Sequence, residues 1–216
     1  MKPITNFLFL GALATGLCFA GCNPTTNKNQ SPVVKTTFGK VSGSIDDGIY
    51  IFRGIPYARA ERFMPPQEPV DWKGILECNN FGPVAKQIVP WYPDSVQDEK
   101  KLFSVNVWTQ GISDGKKRPV MLWLHGGGFH VGASNDPMTY GKAMAKKGDV
   151  VFVSVNHRLN ILGFLDLSAC GPEYAQSANV GMLDIVKALE WNQKNIENFG
   201  GNPSDVTILG ESGGGG

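Results

Sequence analysis

The chain has 216 residues, 42% hydrophobic and 18% charged, which suits one globular domain with a sizeable core and excludes disorder throughout. Its formal net charge is +1, and no basic cluster exceeds Lys116-Lys117-Arg118, so the electrostatic footprint of a nucleic-acid binder is absent. Three histidines with no pair at ligand spacing give a metal site no support, and no cofactor is expected.

In chain order, residues 1 to 21 read as a signal peptide: Lys2, a largely apolar run from Phe7 to Ala20, then small residues at the boundary. The run is too short to span a membrane as a mature helix. Phe19-Ala20-Gly21-Cys22 resembles a bacterial lipobox, with phenylalanine where an aliphatic residue is usual. That resemblance implies cleavage before Cys22, lipid attachment to Cys22 and a place in the bacterial cell envelope, anchored to a membrane. Secretion after Ala20, or release into the periplasm, is the alternative. Residues 22 to 32 form a polar tether, and residues 33 to 216 form the folded part. Cys78 and Cys170 lie in it, and whether they pair stays open.

Residues 33 to 57 alternate apolar and polar around Gly39, Gly43 and Gly48, which predicts an antiparallel meander at the edge of a sheet. The proline-rich stretch Pro65 to Pro93 reads as an irregular excursion whose Trp91 and Tyr92 either line a pocket or pack beneath the loop. From residue 102 the pattern becomes α/β. Strands are predicted at Leu102 to Trp108, Val120 to Leu124, Val150 to Asn156 and Val206 to Leu209, with helices at Met138 to Lys147 and Gly181 to Phe199. Runs such as V-V-F-V-S-V suit a sheet buried on both faces. The second helix carries Met182, Val186, Leu189 and Ile196 on one stripe, which predicts the face that packs on the sheet.

Two of the strands end in glycine clusters. After Val120 to Leu124 comes His125-Gly126-Gly127-Gly128-Phe129, and after Val206 to Leu209 comes Gly210-Glu211-Ser212-Gly213-Gly214. The second is a G-x-S-x-G nucleophile elbow, in which a tight strand-to-helix turn pushes the serine hydroxyl outward. The first offers unencumbered N–H groups to an oxyanion, and the residue after the serine offers another. Ser212 is therefore the candidate nucleophile, with Gly127, Gly128 and Gly213 as oxyanion-hole donors.

The motifs together resemble those of the type-B carboxylesterase and lipase family, which includes the cholinesterases, within the α/β-hydrolase superfamily. The resemblance covers roughly residues 33 to 216. It rests on F-R-G-I-P-Y-A at 52, R-F at 62, F-G-P at 81, N-V-W-T at 106, W-L-H-G-G-G-F at 123, N-H-R-L at 156 and G-F-L at 163. N-V-G-M-L-D at 179, W-N-Q-K-N-I at 191, F-G-G-N-P at 199 and G-E-S-G-G at 210 continue it in the family's order. It implies the α/β-hydrolase fold, a mostly parallel central sheet with antiparallel N-terminal strands, truncated after the nucleophile elbow. It also implies a carboxylesterase that acts on small-molecule esters through an acyl-enzyme on Ser212, with Glu211 as electrostatic support. The family's order is serine, acid, histidine, so the triad acid and base would follow residue 216. The sequence then reads as an N-terminal fragment, expected to be inactive alone. His125 and His130 would position the oxyanion turn, and His157 would hydrogen-bond within the fold.

The chain departs from the family in four places. The loop before Arg62 is shorter. Ala85 and Leu102 stand where the family commonly has a disulfide pair, so the loop between them must close by packing. Lys100-Lys101 align with an acidic pair, which would leave Arg62 in a like-charge contact. Gly213 replaces a common alanine and should loosen the backbone. Two rival readings remain. One is a catalytically silent binding protein of the same fold. The other is a trypsin-like protease using His157, Asp184 and Ser212, disfavoured because Asp184 falls on a periodic helix.

Overall fold

The computed structural model describes residues 31–88, 96–137 and 141–216. The signal peptide, Cys22, most of the tether, Trp91, Tyr92 and the start of the helix expected from Met138 lie outside the described residues. Ser31 to Gly216 form one compact unit.

Among the described residues, nine strands and three α-helices make up this unit. The opening segment gives β1 (Val33–Lys35), β2 (Lys40–Ser42), β3 (Ser44–Asp46) and β4 (Ile49–Pro56), followed by β5 (Ile75–Glu77) and β6 (Ser104–Thr109). The α/β part adds β7 (Arg118–Leu124), α1 (Lys142–Gly148), β8 (Val151–Val155), α2 (Asn160–Phe164), α3 (Val180–Asn195) and β9 (Gly201–Gly210). The strands divide between two sheets, in the orders β1-β2-β5 and β3-β4-β6-β8-β7-β9. The opening meander is therefore not one sheet edge, as its alternation suggests. β1 pairs with β2 and β2 with β5, and only β3 and β4 join the large sheet. In that sheet β3, β4, β6 and β8 pair antiparallel, while β8, β7 and β9 run parallel.

The centre of the sheet is buried on both faces, as its apolar runs require, while the edge strands β3 and β9 are largely open. Every residue of β6 and β8 is buried. Side chains alternate between two clusters with the period of a strand. Val105, Val107, Val151, Val153 and Val155 join Trp191, Ile196 and Phe199 on the α3 side. Trp108 and Phe152 join Ala145 of α1 on the other. Phe52 of β4 meets Phe199 edge to face, with centroids 5.1 Å apart.

The face of α3 that packs matches the predicted stripe only in part: Leu189 packs against the core and Ile196 is buried. Met182 and Val186 are exposed, whereas Val180, Asp184, Ile185, Ala188, Trp191, Asn192 and Asn195 are buried. Polar residues on the inward face obscured it, and the structure supplies partners for two of them. Asp184 takes Arg158, and the Asn195 side chain accepts from Thr37 N–H (2.7 Å) and donates to the Trp191 carbonyl (2.8 Å).

Two other expectations concern the loop between residues 85 and 102. Ala85 and Leu102 are both buried in one core cluster, and Val84 exchanges backbone hydrogen bonds with Val96 and Asp98 across the loop's neck. Packing and backbone pairing thus stand where a disulfide would. The like-charge contact expected at Arg62 does not form. Arg62 instead holds Glu99, Nη2 to Oε1 at 2.8 Å and Nε to Oε2 at 2.9 Å, and Lys100 reaches Glu61 at 3.6 Å. Cys78 is buried and Cys170 exposed, both as free thiols. Burial pushes the Cys78 thiol up to about 12.

Candidate active site

The site follows from the register of three parallel strands. Leu124, the last residue of β7, pairs with Val155 of β8 on one side and Gly210 of β9 on the other. Three loops consequently leave the sheet side by side at its carboxyl end, where open α/β sheets bind ligands. They are His125 to Gly132, Asn156 to Asn160, and Glu211 to Gly214.

The serine turn is strained. Glu211 is extended (φ −121°, ψ 141°), and Ser212 then adopts φ 52°, a left-handed conformation uncommon for a residue with a side chain. A short 3-10 turn follows over Ser212–Gly214, closed by Gly214 N–H to the Glu211 carbonyl at 2.9 Å. Ser212 is exposed. Only glycine fits at Gly214, because a Cβ there would collide with the Leu124 carbonyl at the end of β7. The two turns are in van der Waals contact through Gly213, where a Cβ would stand 2.8 Å from the Gly128 nitrogen and 2.9 Å from its Cα. The glycine at 213, expected to loosen the backbone, in this arrangement permits close approach of the two turns.

The sequence candidates Ser212, Gly213, Gly127 and Gly128 are thus brought together, with Glu211 beside them. The Glu211 side chain lies against Gly126, where a Cβ would collide with its carboxyl oxygen. Gly127 and Gly128 have φ of 105° and 58°, and the Gly127 carbonyl accepts from the N–H groups of His130 (3.0 Å) and Val131 (3.2 Å). His130 therefore shapes the turn through its backbone, while its side chain is exposed.

His125 and His157 are buried and committed elsewhere. Each Nδ1 lies against a backbone carbonyl, Gly126 at 2.8 Å and Arg158 at 3.0 Å. A carbonyl can only accept, so each Nδ1 carries the proton. Burial lowers His125 below the usual histidine range, and burial with His125 as neighbour lowers His157 to about 3. The protease-like trio does not assemble, because Asp184 bonds Arg158 rather than His157.

One residue near the turn carried little sequence signal. Asn160, in the left-handed region at φ 51°, donates its backbone N–H to the Phe129 carbonyl at 2.6 Å and its side-chain amide to the Lys86 carbonyl at 2.7 Å. An asparagine following N-H-R-L is the only hint, since asparagine tolerates this conformation better than most residues. Beside it, Gly128, Phe129, His130, Asn160, Ile161, Phe164 and Leu165 line an open cleft of about 390 Å³. Phe129 meets Phe164 at its wall, with centroids 5.4 Å apart.

A serine in a strained turn at the end of a parallel sheet, followed by a glycine packed on the backbone of a neighbouring glycine turn, can attack a carbonyl carbon while backbone N–H groups of such turns bind the resulting oxyanion. The model of the carboxylesterase family matches residues 30–216. The chain belongs to the carboxylesterase family. The para-nitrobenzyl esterase of Bacillus subtilis is 37% identical to this carboxylesterase-family chain over 191 residues, covering 85% of it and 38% of the relative. An esterase of Clostridium hathewayi, which can hydrolyse aliphatic aromatic polyesters, superposes with a TM-score of 0.82 at 47% identity, covering 87% of this chain and 39% of that one. A carboxylesterase of Geobacillus stearothermophilus gives 0.78 at 45% identity, with coverage of 84% and 38%. The fold is that of the α/β-hydrolases. The chain spans about two fifths of the length of these relatives.

Proposed function

We propose that the whole protein hydrolyses small carboxylic esters through an acyl-enzyme on Ser212. The observation that supports this reading best is the left-handed Ser212 at the end of β9, with Gly213 packed on the Gly128 nitrogen. The Ser212 Oγ attacks the ester carbonyl carbon while a base takes its proton, and the carbonyl electron pair moves onto oxygen. The N–H groups of Gly127, Gly128 and Gly213 bind that oxyanion, and the Glu211 carboxylate supports the site electrostatically. Collapse expels the alcohol, which takes up the proton. Water then repeats the attack on the acyl-enzyme and releases the acid.

His125 and His157 are unsuited to be the base, since each Nδ1–H is held by a carbonyl and each ring is buried. The family resemblance puts acid and base after the serine in the chain. Replacing Ser212 by Ala in the whole protein should abolish p-nitrophenyl butyrate hydrolysis while leaving the folded state intact. Unchanged turnover in that variant would end the proposal.

We infer further that the protein is exported and held at a bacterial membrane by a lipid on Cys22. The support is the sequence Phe19-Ala20-Gly21-Cys22 behind an apolar run. One acyl chain binds a membrane only marginally, so stable anchoring calls for more than one chain. Cell fractionation of Cys22→Ala is the test. The variant should leave the membrane fraction, and retention equal to the parent would contradict a lipid at this position.

A further inference from the structure

We infer that Gln87 is a positioning residue for the oxyanion turn, an inference that rests on the serine-esterase reading above. The turn from Gly126 to Gly132 lies outside any strand, yet its N–H groups must be aimed before the substrate arrives. Misplacement by about 1 Å can cost on the order of 10²-fold in rate. Something must therefore fix its far end.

Gln87 does so with its whole carboxamide. Its Oε1 accepts the Gly132 N–H at 2.7 Å, and its Nε2 donates to the Gly132 carbonyl at 2.9 Å. The same nitrogen donates to the Ala85 carbonyl at 3.1 Å. Both N–H groups and the carbonyl of the amide are in use, and the side chain is buried. Gly132 is thus held on both of its backbone polar groups, as if by a neighbouring strand.

Gly132 in turn transmits the position. Its φ is 115°, and it lies so close to the start of the turn that a Cβ would collide with His125 Nδ1 and the Gly126 carbonyl. Fixing Gly132 fixes both ends of the loop whose apex carries Gly127 and Gly128. The Gln87 backbone N–H is itself held by the Gln97 side-chain carbonyl at 2.9 Å. Asn160 ties the same segment to the turn from the other side, through the Lys86 and Phe129 carbonyls. The oxyanion turn is thereby registered against residues 84 to 87, the neck of the long excursion, and not against the sheet alone.

Gln87→Leu removes the clasp with little change in volume. Gln87→Glu keeps the acceptor for Gly132 N–H but turns a carboxylate oxygen toward two carbonyls. Both should be made in the whole protein and assayed with p-nitrophenyl butyrate well below their melting temperatures, beside Ser212→Ala. We expect kcat to fall about ten- to a hundred-fold with KM within about threefold, because the ground-state ester leans little on a hole shaped for the oxyanion. Affinity for a trifluoromethyl ketone, which forms a tetrahedral adduct, should fall in step with kcat/KM. Protonation of the introduced carboxyl restores one donor, so Gln87→Glu should recover relative to the parent as pH is lowered. Parent-like kcat in Gln87→Leu while Ser212→Ala is dead would overturn the role of Gln87 and leave the esterase reading standing. Equal losses of kcat and of soluble, cooperatively melting protein would overturn it too, since the residue would then be structural only. Activity in Ser212→Ala would overturn the reading beneath both.

Discussion

The imidazoles of His125 and His157 lie stacked, with centroids 4.8 Å apart and planes 10° from parallel. Both are buried, and each donates Nδ1–H to a backbone carbonyl. Protonating either would place a cation against its neighbour without water to solvate it. The Asp136 carboxylate acts on His125 in the opposite direction.

A pH dependence of stability follows. Both folded-state values lie below the ordinary 6.5, that of His157 at about 3. Between the folded and unfolded values the unfolded chain binds more protons, so stability is full above pH 6.5 and declines as pH falls below it. Each histidine adds at most about 1.4 kcal/mol per pH unit to that slope. Denaturant midpoints at pH 7.5 and 5 should show the loss, and His157→Gln should flatten it. An unchanged slope in His157→Gln would mean that other groups carry it.

Arg62 and Glu99 form a bidentate pair at the surface. Exposed pairs of this kind contribute at most about 1 kcal/mol, so Glu99→Gln should lower the melting temperature only slightly. Glu99→Lys should cost more, because it would set a third lysine beside Lys100 and Lys101 against the Arg62 guanidinium. Differential scanning calorimetry of the two variants separates these outcomes.

The pair also marks what a sequence conveys and what it does not. The positions of β6, β7, β8 and β9 and the two glycine turns were legible, because strand apolarity and glycine punctuation are local signals. The partner of Arg62 was not. The family resemblance pointed to Lys100 and Lys101, but the loop's path presents the side chain one residue earlier, at Glu99. The packed face of α3 was only partly legible for a related reason. Asp184 and Asn195 look solvent-facing until Arg158, Thr37 and Trp191 are in place to satisfy them. Gln87 gave no signal at all, since its value lies in a carboxamide meeting Gly132 across 45 residues.

Arg158 and Asp184 are both buried, joined through Arg158 Nη2 at 2.6 Å and Nε at 2.8 Å. Arg158 also donates to the Met64 carbonyl at 2.8 Å, so the pair staples the loop after β4 to α3. Asp184→Ala leaves an uncompensated buried cation and should cost about 3–5 kcal/mol. Adding Arg158→Met should recover part of that loss and no more, because the Met64 carbonyl stays without its donor. Urea unfolding of the single and double variants measures the difference.

Gly127 and Gly128 differ in what they tolerate. A Cβ on Gly127 would collide with the Val131 carbonyl, whereas one on Gly128 meets nothing within 4 Å and bears only the strain of φ 58°. That strain is about 1–2 kcal/mol for a non-glycine residue. Gly127→Ala should therefore damage turnover and folding yield more than Gly128→Ala. Comparable loss in both would indicate that backbone strain alone governs the turn.

The central claim is that Ser212 is the acylated residue, and covalent labelling tests it most directly. The whole protein is treated with a fluorophosphonate, digested, and the modified residue located by mass spectrometry. One adduct on the peptide containing Ser212, formed in parallel with loss of p-nitrophenyl ester hydrolysis, is the expected result. Full inhibition with Ser212 unmodified, or with the adduct on another residue, would contradict the account.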